Sequence, residues 1–237
     1  YVFWPSADPA PVSAPTPASQ DFELGCRFDD GETRAYRVGS HVAVEGEVDS
    51  FDGNLSLEVV EAHRSSALVR AAFSELRIEQ SLTEPEEQSD AATLEAMPFL
   101  MRVDRQCRIQ ELGFESDWSH AERRLVTTVM RAFEFVTGEG DEWHVVQVDG
   151  GGEHLAEYHA ESSSDGVRVT RTKADYTPDP TGDLAGISLS VLQSEAVAHF
   201  DTQGATRVRG EEQFMLALPQ GENQFITHQF AMLRNDD

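Results

Sequence analysis

Lysine is almost missing from this 237-residue chain. Lys173 is the only one, and arginine carries the rest of the fixed positive charge. With 43 acidic residues against 18 basic ones the formal net charge is −25. A phosphate backbone or an anionic bilayer surface repels most of such a molecule, so nucleic acid is not an expected partner. No stretch approaches the roughly 18 consecutive apolar residues of a membrane-spanning helix. Cysteine is scarce too: Cys26 and Cys107 stand 81 positions apart, which makes neither a CxxC redox motif nor a metal cluster. Each shares strand parity with apolar neighbours, Phe22, Leu24 and Phe28 for the first and Phe99, Met101, Val103 and Ile109 for the second. Both are expected to point inward; even in an oxidising compartment two buried thiols and a disulfide between them both stay open, the thiols being the simpler reading.

Catalytic signatures are missing as well. There is no GxSxG, no HExxH and no GxxxxGK[ST], and neither cysteine has a histidine in a catalytic context. Gly150-Gly151-Gly152 has no phosphate-loop pattern around it and is expected to be a hairpin turn. His154 and His159 differ by five, which on a strand puts them on opposite faces, and the other histidines are scattered singly, so no metal site is expected. Acidic residues are so abundant that no pair of them is a specific sign of glycosidase chemistry. The chain is therefore expected not to be an enzyme and to need no cofactor.

What is present is one long amphipathic stretch in a strand-like sequence. Over 119–136 Ser119 stands three residues before Glu122, the capping-box spacing, and Thr137-Gly138 supplies a stop. At about 100° per residue, Leu125, Val126, Val129, Met130, Ala132, Phe133 and Val136 fall in one arc just under half the circumference. An arc that wide has to be covered, and Leu125, Val129, Phe133 and Val136 are the candidate core of the domain. Trp118 is expected to staple against Arg123 or Leu125.

Around it the sequence reads as strands. A first strand over 21–28 meets the turn Asp29-Asp30-Gly31-Glu32, a return strand follows over 33–38, and Val42, Val44 and Val48 share a face before a second turn at Phe51-Asp52-Gly53-Asn54. Residues 67–78 fit two patterns, Val69, Ala71 and Phe73 alternating as in a strand while Ala71-Ala72 and the charged neighbours also suit a helix, and are read as a strand. An acidic loop with one helical turn near 91–97 follows, its Glu79, Glu84, Glu86, Glu87, Asp90 and Glu95 set around Pro85. Further strands are expected over 99–103, 107–114, 142–148, 154–160, 167–176, 186–200, 207–216 and 224–233, with a Pro-rich loop over 177–183. The fold class is thus mainly β, an antiparallel barrel or strongly curved sheet of about a dozen strands wrapped around one central helix. Residues 21–237 form a single domain and 1–20, Pro/Ala/Ser-rich, a disordered tether. The apolar Tyr1-Val2-Phe3-Trp4 reads as the end of a removed signal or an omitted membrane anchor, or else as an arbitrary boundary, so an extracytoplasmic place in the periplasm or at the cell surface is expected.

From Pro98 onward about half of the chain carries an ordered set of motifs. They are Pro98-Phe99-Leu100-Met101-Arg102-Val103-Asp104, Arg108-Ile109 across a hairpin, and Phe133-Glu134-Phe135-Val136 at the end of the helix. Trp143, Asp149-Gly150 and Ala156-Glu157-Tyr158 follow, then Lys173 and Tyr176, then Phe200-Asp201 with Gly204, Arg207 and Gly210. In order and spacing this pattern resembles the amino-terminal β-barrel domain of the vitellogenin family of large lipid-transfer proteins, as a bacterial relative of it. Cys107 departs from that pattern by standing in the hairpin where a glycine is expected, the first strands match poorly, and the 237 residues stop before the helical and sheet domains that build the family's lipid cavity. The resemblance implies a barrel around a central helix, docking to receptors or partner subunits, and a part in lipid transport. Three readings stand side by side: a non-enzymatic lipid-transfer-like module that binds lipid or a protein partner, an envelope scaffold without lipid, and a periplasmic half-barrel lipoprotein carrier with an open apolar groove.

Overall fold

The computed structural model describes residues 24–83, 88–163, 166–177, 188–218 and 223–235. The tether over 1–20, Glu84 to Glu87 of the acidic loop and nearly all of the Pro-rich loop lie outside these residues. Among the described residues there are eleven strands: β1 (Thr33–Val44), β2 (Glu47–Ala62), β3 (Ser66–Gln80), β4 (Phe99–Asp104), β5 (Ile109–Gly113), β6 (Glu142–Asp149), β7 (Gly152–Ser163), β8 (Gly166–Thr177), β9 (Ser188–Phe200), β10 (Ala205–Ala217) and β11 (Asn223–Arg234). Two helices join them, α1 (Ala91–Ala96) and α2 (His120–Ala132).

All strands belong to one antiparallel sheet in the order β5-β4-β3-β2-β1-β11-β10-β9-β8-β7-β6. The first and last strands of the chain pair at its centre, Tyr36 opposite Arg234 through Val44 opposite Ile226. The two free edges, β5 and β6, are the strands that flank α2 in sequence, so the helix must travel from one edge to the other. The sheet is open and strongly curved. Register shifts punctuate its ladders, at Asp52/Asn54 and Val59/Glu61 in β2 and at Gln213/Phe214 in β10. Such bulges bend strands this long and let the inner face close on a single helix.

That inner face carries the core. Val38, Phe51, Leu55, Val69, Phe99, Val169, Ala198, Phe200 and Val208 are buried against Val126, Val129 and Met130 of α2. Ser119 caps the helix as its spacing predicts: its Oγ accepts the Glu122 N–H at 3.2 Å, and the Glu122 carboxylate accepts the Ser119 N–H at 2.7 Å. The short helix expected near 91–97 is α1, whose Leu94 is fully buried.

Four expectations are corrected. Helix α2 ends at Ala132, four residues early: Phe133 is its C-cap, and the chain beyond it leaves the helix, the Thr137 N–H going to Gln106 O at 2.7 Å; Phe133 and Val136 are buried beyond the helix. Within 21–28, the described residues 24–28 form no strand. They strap across one end of the sheet, Cys26 N–H donating to Arg105 O and Arg27 N–H to Gln203 O. Phe51-Asp52-Gly53-Asn54 does not turn: the hairpin is at Glu45-Gly46, both at positive φ, and Gly53 lies inside β2, where a Cβ would stand 2.7 Å from Leu76 Cδ2. Trp118 packs on Phe99 and Phe114 instead of stapling the helix.

Candidate functional site

The strap is pinned by a disulfide between Cys26 and Cys107, with Cα atoms 5.2 Å apart. Cys107 sits at φ +62°, the left-handed conformation that explains why a glycine suits that hairpin. This strap, with Phe28 packed against the core, covers the end of the curved sheet where Arg105 and Gln203 lie. The opposite end is not filled.

There a cavity of about 840 Å³ opens between α2 and the sheet. Its wall is largely aliphatic and aromatic, with Val42, Phe51, Ile78, Leu189, Phe214 and Ile226 from the strands facing Leu125 and Val129 of the helix. The Gly150-Gly151 turn lies at its rim, Asp149 pairing Gly152 across a two-residue hairpin.

The floor is polar and buried. Lys173 Nζ donates to Asp149 Oδ2 at 2.8 Å and Glu212 Oε2 at 3.0 Å, and Tyr176 donates its hydroxyl to the same Asp149 oxygen at 2.6 Å. Arg171, fully buried, donates to Glu212 Oε1 at 3.2 Å and to the carbonyls of Glu134 and Ala132 at 2.7 and 3.3 Å. It thus caps the end of α2 with a guanidinium. Its Cζ lies 4.8 Å from the Phe135 ring centroid and 5.7 Å from that of Phe230. Ser40 Oγ and His228 Nε2 are 3.0 Å apart, and His228 Nδ1 is 3.8 Å from Glu212 Oε2.

Burial alone would raise the Glu212 carboxyl, but Lys173, His228 and Arg171 outweigh it and hold it well below the usual carboxylate range. Asp149 is likewise lowered: Lys173 and His154 outweigh its desolvation. Both stay ionised. His154, stacked on Tyr176 at 4.7 Å, is lowered by burial to about 4, with Lys173 and Arg171 opposing its protonation and Asp149 favouring it. Among the described residues no three His, Cys, Asp or Glu side chains gather as metal ligands.

The fold is similar to that of lipovitellin. A solved lipovitellin structure, concerned with that protein's lipid–protein interactions, superposes on 89% of this chain with a TM-score of 0.61 and 12% sequence identity. The chain spans 26% of that chain. No family model matches the sequence, and no curated protein does.

Several residues that carried the sequence resemblance meet in space. Asp149, Lys173 and Tyr176 are the hydrogen-bonded floor, although a spacing of three should put Lys173 and Tyr176 on opposite faces of β8. Asp175, at φ +53° beside a register shift, swings Tyr176 back inside. Trp143 stacks on Tyr158, with ring centroids 5.3 Å apart, and donates to Val136 O at 2.9 Å. Of the four candidate core positions, Leu125 and Val129 line the cavity, while Phe133 meets Phe230 edge-on at 6.1 Å and Val136 is buried near Tyr158. Arg171 and Glu212 escaped the sequence reading, and Glu134 entered it only as part of a motif, with no role assigned. The signal was there for the first two: Val169-Arg171-Lys173 and Val208-Gly210-Glu212-Phe214 each put charge at an inward position of an apolar face.

Proposed function

We propose that this chain is a non-enzymatic lipid-binding module that works outside the cytoplasm, holding an apolar chain in the α2 cavity for carriage or presentation. The cavity supports this reading: its volume falls within the roughly 300–1,000 Å³ of small-ligand sites, and it combines an apolar wall with a few convergent polar groups, the usual make-up of a site for an amphipath. The Cys26–Cys107 disulfide supports an oxidising compartment. The likeness to lipovitellin speaks for the fold and leaves the ligand to experiment.

Native mass spectrometry and solvent extraction of the purified chain are expected to release lipid, and the uncharged fluorophore Nile red is expected to brighten in the cavity. Thr128→Trp, which puts an indole into the cavity from α2, should abolish that signal in protein that a melting curve shows to be folded. Absence of both lipid and Nile red binding would sink the reading. Val146 and Val148, 53% and 57% exposed on edge strand β6, favour a second reading, a scaffold that docks a protein through that edge. Under it the chain binds no lipid, and charge placed at Val146 abolishes association.

A further inference from the structure

We infer that the amphipath taken by the α2 cavity has an uncharged polar end, a hydroxyl or ester such as that of a fatty alcohol or monoacylglycerol, and that the site rejects fatty-acid anions. The inference rests on the reading that the cavity holds a lipid, and it follows from how the floor is charged.

Two cations and two carboxylates meet there, Arg171 and Lys173 against Asp149 and Glu212, and each is already committed. Lys173 is shared by both carboxylates at 2.8 and 3.0 Å. Arg171 divides its guanidinium between Glu212 and the end of α2. An arriving carboxylate would have to draw Lys173 away from Asp149 or Glu212, leaving a buried carboxylate without its counter-charge, or else stand beside both of them unpaired. Asp49 and Glu153 also line the cavity, and Arg124 on α2 is already engaged. The field of a chain with net charge −25 also lowers the concentration of anions around it.

A neutral polar end meets none of these obstacles. Ser40 and His228 line the floor as a hydroxyl and an imidazole ring 3.0 Å apart, and a hydroxyl can donate and accept at once. They sit on adjacent strands, with His228 directly opposite Glu212 in register, so the imidazole is held from behind. A ligand hydroxyl or ester carbonyl can bond Ser40 Oγ with the ion pairs left intact.

The test is displacement of Nile red from the 237-residue chain at neutral pH by monolaurin, lauryl alcohol and laurate, which carry chains of equal length. Monolaurin and lauryl alcohol should displace it at concentrations about tenfold or more below laurate, the preference expected when an anion would be buried without a free counter-charge. Ser40→Ala should weaken monolaurin severalfold and leave laurate unchanged, both measured on the folded protein well below a melting temperature that loss of the His228 contact lowers somewhat. Laurate displacing as well as monolaurin, from a chain that binds Nile red, overturns the inference and leaves the lipid cavity standing. Failure of Nile red and all three amphipaths to bind overturns both.

Discussion

Glu134 Oε1 accepts the backbone N–H of Ile109 at 2.6 Å. Ile109 opens β5, one free edge of the sheet, and the other oxygen of the same carboxylate accepts Gln147 Nε2 at 3.0 Å from β6, the opposite edge. Arg131 completes the junction, donating to both carboxylate oxygens and to Ile109 O at 2.8 Å. Where a closed barrel would have a backbone ladder, this molecule has a side chain from just beyond its central helix.

Glu134→Ala should therefore be costly. It leaves the Ile109 N–H and the Gln147 amide without their acceptor at a buried seam and strands Arg131, a loss of about 3–5 kcal/mol. A urea titration checks it, and hydrogen exchange should show the Ile109 amide opening sooner than the amides of β1. Glu134→Gln, which keeps one acceptor, should lose less. A wild-type midpoint for Glu134→Ala would mean that the seam is held by packing alone.

The disulfide closes a loop of 81 residues between the strap and the β4–β5 hairpin. In the chain-entropy account a cross-link over so long a loop contributes about 4 kcal/mol by restricting the unfolded chain. Cys26→Ser with Cys107→Ser should lower the midpoint by that order and speed proteolysis around 24–28 first. Because the strap covers the end away from the cavity, Nile red binding should persist in whatever fraction remains folded.

The strand-rich class and the central helix were legible because both rest on periodicity, and the Ser119 cap because its spacing is local. The bounds of α2 were not. Phe133, Val136 and the helical residues share one apolar arc, and only the tertiary partners Arg171, Gln106 and Tyr158 show that the chain leaves the helix after Ala132. Asp52-Gly53 misled for a related reason: the dipeptide is a turn signal, yet here the glycine makes room for Leu76 across a bulge. The floor of the cavity depends on one residue, Asp175, whose positive φ no periodicity reveals. The disulfide stood open in the sequence because inward parity does not bring two distant cysteines together; the strap does.

His154 predicts an acid sensitivity of defined sign. Its imidazole is buried with Nδ1 3.6 Å from Asp149 Oδ2, and its folded value of about 4 lies below the ordinary 6.5 because burial outweighs that carboxylate. Between these values the unfolded chain binds a proton that the folded chain refuses. The stabilisation is thus complete above about pH 6.5 and lost as the pH falls toward 4, a change on the order of 3 kcal/mol. His154→Phe removes the site from both states while keeping a ring on Tyr176. Denaturant titrations near pH 7 and near pH 4.5 should differ less for this variant by about 2–3 kcal/mol. An equal difference in both proteins would show that other groups carry the acid response.

Arg171 offers the sharpest separation of charge from shape. Its planar fork reaches Glu212 and two carbonyls at the end of α2 while lying over Phe135 and Phe230. A lysine keeps the charge but neither spans these acceptors nor stacks, so Arg171→Lys should cost about 2–4 kcal/mol despite its conservative look. Arg171→Met should cost more, because it removes a cation that offsets Glu212. Adding Glu212→Gln should then recover part of the loss, a coupling a double-mutant cycle reads directly. If Arg171→Lys melts with the wild type, the guanidinium geometry is dispensable and a buried positive charge is all the floor requires.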